Sequence, residues 1–201
     1  MNVSAPVVGV IGSAGAYGRW LTRFLRERMQ LTVWGQDPAD SGSHSAQALM
    51  AVCDVLIFSA PIRHSAAVIA NYAALAGSRS QTQLWLDVTS IKVEPVAAML
   101  RSEAEVVGLH PMTAPPKAPT LKGRVMVVCE ARLRVWRPFV ERLLTALEAN
   151  LVRATPEQHD GIMAVVQAMV HASHLAQAAT LRALQEKVGH PADILPFRSA
   201  S

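Results

Sequence analysis

Only two cysteines, Cys53 and Cys129, occur in the 201 residues, both in apolar, strand-like contexts. That scarcity excludes a disulfide-stapled fold and points to two buried thiols in a reducing compartment, neither acting as a nucleophile. Aromatic residues make up 5% of the chain and charged residues 17%, and no interleaving of the two marks a nucleic-acid surface. The 15 arginines and 4 lysines stand against 15 acids, for a net charge of +4. These cations are scattered along stretches such as "RWLTRFLRER" and "EARLRVWRPFVERL", with no basic tail. The expected partner is therefore a small anionic ligand, which asks for only a few local cations, and not nucleic acid. No uninterrupted apolar run reaches the about 18 residues that a membrane span needs. The opening "MNVSAPVVGVIG" also lacks the basic start and sustained apolar stretch of a secretory signal. A cytoplasmic protein without membrane association is expected.

What the chain does have is hydrophobicity, 51% of its residues, enough for an ordinary core. Six short apolar runs, at 6–12, 31–34, 54–60, 83–89, 105–110 and 124–130, read as near-continuous buried strands of a parallel sheet covered on both faces. Stretches at 16–28, 44–52, 62–75, 93–101 and 133–149 carry helical spacing. Together they give an α/β fold with a Rossmann-type doubly wound parallel sheet, expected over residues 1–154. From Thr155, an N-cap followed by Pro156 and Glu157, one long helix runs to about Lys187. It reads as the start of an all-helical region, residues 155–201, whose apolar face predicts a homodimer.

The turn "VVGVIGSAGAYGRW" places Gly12, Gly15 and Gly18 between the first strand and the first helix. The spacing G-x-x-G-x-x-G is one residue longer than the usual dinucleotide fingerprint. Its position still suits a pyrophosphate, because glycines let the backbone approach and the helix start offers free N–H groups. Ser13, Ala16 and Tyr17 belong to the same turn. At the end of the second strand Asp37, 19 residues beyond Gly18, can accept from ribose hydroxyls and would repel a 2′-phosphate. NAD is therefore expected over NADP. Ser59, Ala60, Pro61 and Thr89, at the ends of the third and fourth strands, complete the expected cofactor set.

"VVGLHPMTAPPKAP" ends a strand at His110 and passes into a loop with four prolines in nine residues. An imidazole there, with the Ser90 hydroxyl on a neighbouring strand end, makes a base with an orienting partner.

This constellation resembles the prephenate dehydrogenase family over nearly the whole chain. "LDVTSIKVEPVAAML" resembles its Asp-x-Thr-Ser-x-Lys segment and "VVGLHPM" its Gly-x-His-Pro-Met segment. "EQHDGIMAVVQAMVHASHLA" resembles the His-Asp-bearing helix that opens its dimerisation domain. The resemblance implies NAD-dependent oxidative decarboxylation of prephenate in tyrosine biosynthesis, with His110 accepting the hydroxyl proton and Ser90 holding it in register. It also extends the expected substrate contacts to Ser90, His110, Met112, Lys117, Gln167, His171 and Arg198.

This chain departs from the family pattern in three places. After Met112 the family usually has a loop containing glycine and often an acidic residue; here it reads "TAPPKAPTLKG", and Lys117 and Lys122 either meet a substrate carboxylate or are solvated. Val170 stands before His171 where an arginine is common, and Gln167 and His171 are either near the substrate or simply packed. The helical region is also shorter than the family's. Two alternatives follow: a relative acting on 4-amino-4-deoxyprephenate, and a non-catalytic or truncated NAD-binding homologue.

Overall fold

The computed structural model describes residues 5–188, with side chains described as far as residue 183. Seven strands form one sheet in the order β2-β1-β3-β4-β5-β6-β7. They are β1 (Val8–Ile11), β2 (Val33–Gln36), β3 (Val55–Phe58), β4 (Leu84–Asp87), β5 (Glu105–Pro111), β6 (Val125–Arg132) and β7 (Asn150–Arg153). The helices are α1 (Ala16–Glu27), α2 (Ala46–Val52), α3 (Ile62–Leu75), α4 (Val93–Met99), α5 (Arg137–Leu147) and α6 (Pro156–Val188).

The doubly wound α/β plan holds, with two corrections. First, β6 runs antiparallel to β5. A parallel return needs a crossover of a dozen or more residues, usually helical, and the proline-studded segment between Pro111 and Val125 contains no helix. Second, β7 is a strand that the apolar pattern does not reveal. Its four residues are all exposed on the sheet edge, paired among the described residues with β6 alone, so burial imposed no apolar run on them.

Alternation along the central strands feeds two cores. In β3, Val55 and Ile57 face a core closed by Trp20, Leu21, Phe24 and Leu25 of α1 and by Val140, Leu143 and Leu144 of α5. Leu56 and Phe58 face the opposite core, with Leu49 of α2, Ile69 and Tyr72 of α3, and Val96 and Met99 of α4. α1 is amphipathic in the way this requires: its buried residues recur every turn, while Arg19, Arg23 and Arg26 are exposed.

Thr155 caps α6 as the sequence predicts. Gln158 N–H donates to Thr155 Oγ1 (3.2 Å) and Thr155 N–H donates to Gln158 Oε1 (3.0 Å), a reciprocal capping box. The chain divides into two compact units, with the second beginning at Gly161. The first turn of α6 thus belongs with the α/β unit, held there by His159 and Asp160. In the second unit α6 exposes Ile162, Val165, Met169 and Leu175.

Candidate active site

Strand order reverses between β1 and its neighbours, and open α/β sheets bind ligands at such a switch point, beyond the carboxyl ends of the strands. A cleft of about 810 Å3 opens there, walled by Gly12, Gly15, Ala16, Tyr17, Asp37, Ser59, Ala60 and Pro61 of the expected cofactor set. Gly12 has φ +83°, and a Cβ on it would lie 2.6 Å from the Ser59 carbonyl oxygen. Glycine is therefore required where the turn passes the end of β3. Gly15 caps α1 without a side-chain hydrogen bond, so the N–H groups of the first turn remain available to an anion.

Asp37 accepts the Ala14 N–H (3.0 Å) and the Ala39 N–H (2.9 Å), which fixes the carboxylate beside the glycine turn. It keeps lone pairs for ribose hydroxyls. A glycine cradle, free helix-start donors and an anchored acid fit a dinucleotide.

Three expected cofactor residues are not in the cleft wall. A Cβ on Gly18 would lie 2.0 Å from Gly12 O, so its role is close packing of α1 on the turn. Ser13 turns to a separate hollow with Arg19, Gly35 and His44. Thr89 is buried, its hydroxyl donating to Asp87 Oδ2 at 2.6 Å. Gln36, Pro38, His64, Asn71 and Tyr72 line the cleft without having been expected. Pro38, adjoining Asp37, was within reach of sequence reasoning, whereas the α3 residues required the fold.

At the carboxyl end of β5, His110 is 6% exposed. Its partner corrects the sequence expectation. Ser90 is exposed, and the His110 ring pairs with another imidazole, its Nδ1 lying 2.8 Å from Nε2 of His159. His159 is itself buried, and its Nδ1 lies 2.7 Å from Asp160 Oδ1. Asp160 also accepts the Lys92 N–H (2.8 Å) and the Val93 N–H (2.9 Å) at the start of α4.

The Lys92 side chain is fully buried and donates to Asp87 and to the Leu109 carbonyl (2.7 Å), one residue before His110. Gly108 makes room for this, since a Cβ there would meet Val96 at 2.9 Å and Lys92 at 3.1 Å. The result is a closed circuit: Lys92 to Leu109, His110 to His159, His159 to Asp160, and Asp160 back to the Lys92 backbone. All of it lay inside the segments "LDVTSIK", "GLHPM" and "EQHD", but spacing alone does not show that they meet.

Electrostatics follow from burial. Desolvation, with His159 and Lys92 adding to it and Asp160 opposing, lowers the His110 imidazole to about 4. Partial burial works against the Asp160 charge, but the N–H groups of Val93 and Lys92 and the His159 ring outweigh it and hold the carboxyl below its ordinary range. Burial raises the Asp87 carboxyl and lowers the Lys92 ammonium, each charge opposing the other's shift. At neutral pH His110 is uncharged, the form that accepts a proton.

Of the expected substrate contacts, Met112 is exposed. Lys117 borders a hollow with Trp20, Arg23, Phe24 and Arg28 on the α1 side, where the Trp20 ring N–H donates to Ala118 O (3.0 Å) and pins the loop. Gln167 and His171 are exposed on α6 in the second unit, and Arg198 lies outside the described residues.

Residues 23–152 match the family model described as prephenate dehydrogenase, nucleotide-binding domain. The chain belongs to the prephenate dehydrogenase family. It is 27% identical over 195 residues to a Methanocaldococcus jannaschii protein named probable arogenate/prephenate dehydrogenase, an alignment covering 88% of this chain and 43% of that protein. It is 31% identical to the 4-amino-4-deoxyprephenate dehydrogenase of Streptomyces pristinaespiralis, over 93% of this chain and 67% of that one. The chain thus spans less than half the length of the first of these relatives. Among solved structures, prephenate dehydrogenase of Aquifex aeolicus, in complex with hydroxyphenyl propionate and NAD+, superimposes with a TM-score of 0.72 at 20% identity, covering 92% of this chain and 72% of that one. At that identity the likeness is one of fold.

Proposed function

We propose that this member of the prephenate dehydrogenase family oxidises a prephenate-type cyclohexadienol with NAD, and that His110 is its base. The observation that carries the reading is a neutral, buried imidazole at the end of β5, on the same sheet edge as the glycine cradle beyond β1. The cradle at Gly12, Gly15 and the start of α1 would hold the pyrophosphate, and Asp37 the adenosine ribose, where its charge disfavours a 2′-phosphate. Bound there, the dinucleotide supplies the hydride acceptor for an oxidation in which CO2 leaves and the ring becomes aromatic. The chain's own part is to orient the reacting groups and to accept the hydroxyl proton at His110. A dicarboxylate substrate beside the ring would raise its proton affinity above that of the free protein.

Ser90, exposed at the end of β4, remains a candidate for the substrate oxygen, and Met112 and Lys117 for its periphery. Oxidation of 4-amino-4-deoxyprephenate is the second reading, favoured by the relative at 31% identity. Steady-state turnover of prephenate and of the 4-amino compound, each with NAD and NADP, tests the proposal. It predicts turnover of one of the two with NAD preferred, and turnover of neither with NAD bound would leave a non-catalytic binding protein.

A further inference from the structure

The chain Asp160–His159–His110 has a chemical direction. Asp160, ionised and also receiving the Lys92 and Val93 N–H groups, can only accept, so Nδ1 of His159 is the donor to it. His159 Nε2 then carries a lone pair and accepts from His110 Nδ1. That leaves the lone pair of His110 on Nε2, the nitrogen without a hydrogen-bond partner among the described residues.

We infer that His159 and Asp160 are positioning residues that fix His110 in the tautomer with Nε2 free, ready to accept a proton. This rests on the function proposed above, in which His110 is the base. In the step itself the substrate O–H bond breaks, its electron pair staying on oxygen to become the carbonyl, while the C–H pair leaves as hydride to the oxidised nicotinamide dinucleotide. The proton forms a new N–H bond at His110 Nε2. His110 becomes an imidazolium whose Nδ1–H stays bonded to His159, with the Asp160 carboxylate offsetting the charge through that ring. As CO2 leaves, the C–C electron pair passes through the ring to the carbonyl oxygen, which takes the proton back from His110 Nε2 to become the phenol hydroxyl, so the base is restored and no net proton is released. The geometry supports fixity as well as direction: both rings are buried, and Lys92 holds the residue preceding His110 while its own backbone is held by Asp160.

Imidazole 15N shifts and long-range proton–nitrogen couplings, recorded near neutral pH without substrate or cofactor, test this directly. The wild-type chain should show both rings protonated on Nδ1, and a His110 ring protonated on Nε2 overturns the inference. Replacing His159→Phe removes the acceptor. It should move His110 away from the Nδ1–H form and lower kcat by roughly a hundredfold or more with KM little changed, whereas His159→Gln, which can still accept through its amide oxygen, should restore both. Equal tautomers and equal kcat in the two variants contradict the inference. Should His159→Phe fail to fold, the wild-type spectrum decides alone. Because the spectrum needs no turnover, an inactive wild-type chain would count against the proposed function and leave the tautomer result standing.

Discussion

His110 faces His159, Lys92 and Asp160, and its burial has a measurable consequence. The unfolded chain takes up the imidazole proton near 6.5 and the folded chain only near 4, so between those values the unfolded state binds more protons. Stability from this group is complete above pH 6.5, declines as pH falls and levels off below 4, a loss of up to about 3 kcal/mol. Urea midpoints across that window should show the decline in the wild type and a shallower one in His110→Asn, and identical slopes would contradict the burial argument. Lys92 and Asp87 make a second residue-scale case. Lys92→Met leaves the Asp87 carboxylate buried without its counter-charge and should cost about 3–5 kcal/mol by denaturant unfolding, far more than an exposed pair such as Arg28 and Glu148.

Elements place these residues, and the glycine turn between β1 and α1 is the most constrained of them. Gly12→Ala must accept φ +83° and a Cβ 2.6 Å from Ser59 O. It should weaken NAD binding more than tenfold by calorimetric titration while the central strands stay folded; unchanged affinity would mean that the dinucleotide does not cross this turn. The strands of the parallel half were legible because burial on both faces imposes unbroken apolar runs such as "VLIF" and "LWLD". β7 was not, because exposure imposes no pattern on "NLVR". The reversal at β6 was foreshadowed only by the missing helix after His110. The orienting partner of His110 was misread for a similar reason. Ser90 is near in spacing, whereas His159 lies 49 residues away and reaches the ring only because α6 begins against the sheet.

For the whole molecule, the second unit's helix exposes Ile162 (61%), Met169 (67%) and Leu175 (71%) to solvent in the single chain. Exposed apolar side chains along a helix mark an association surface, and a second copy of the chain is the proposed partner. Sedimentation equilibrium at micromolar concentration should give the dimer mass, and Met169→Glu together with Leu175→Glu should shift it to monomer. A wild-type chain that stays monomeric refutes that assembly. No helix among the described residues is long and apolar enough to cross a membrane.

The most direct test of the account is NADH formation with prephenate and with its 4-amino analogue, for the wild type and for His110→Asn, with NAD binding measured alongside. Turnover on one of the two substrates should fall by roughly a hundredfold or more in the variant, while NAD binds both proteins alike. Turnover that survives the substitution would contradict the assignment of His110 as the base.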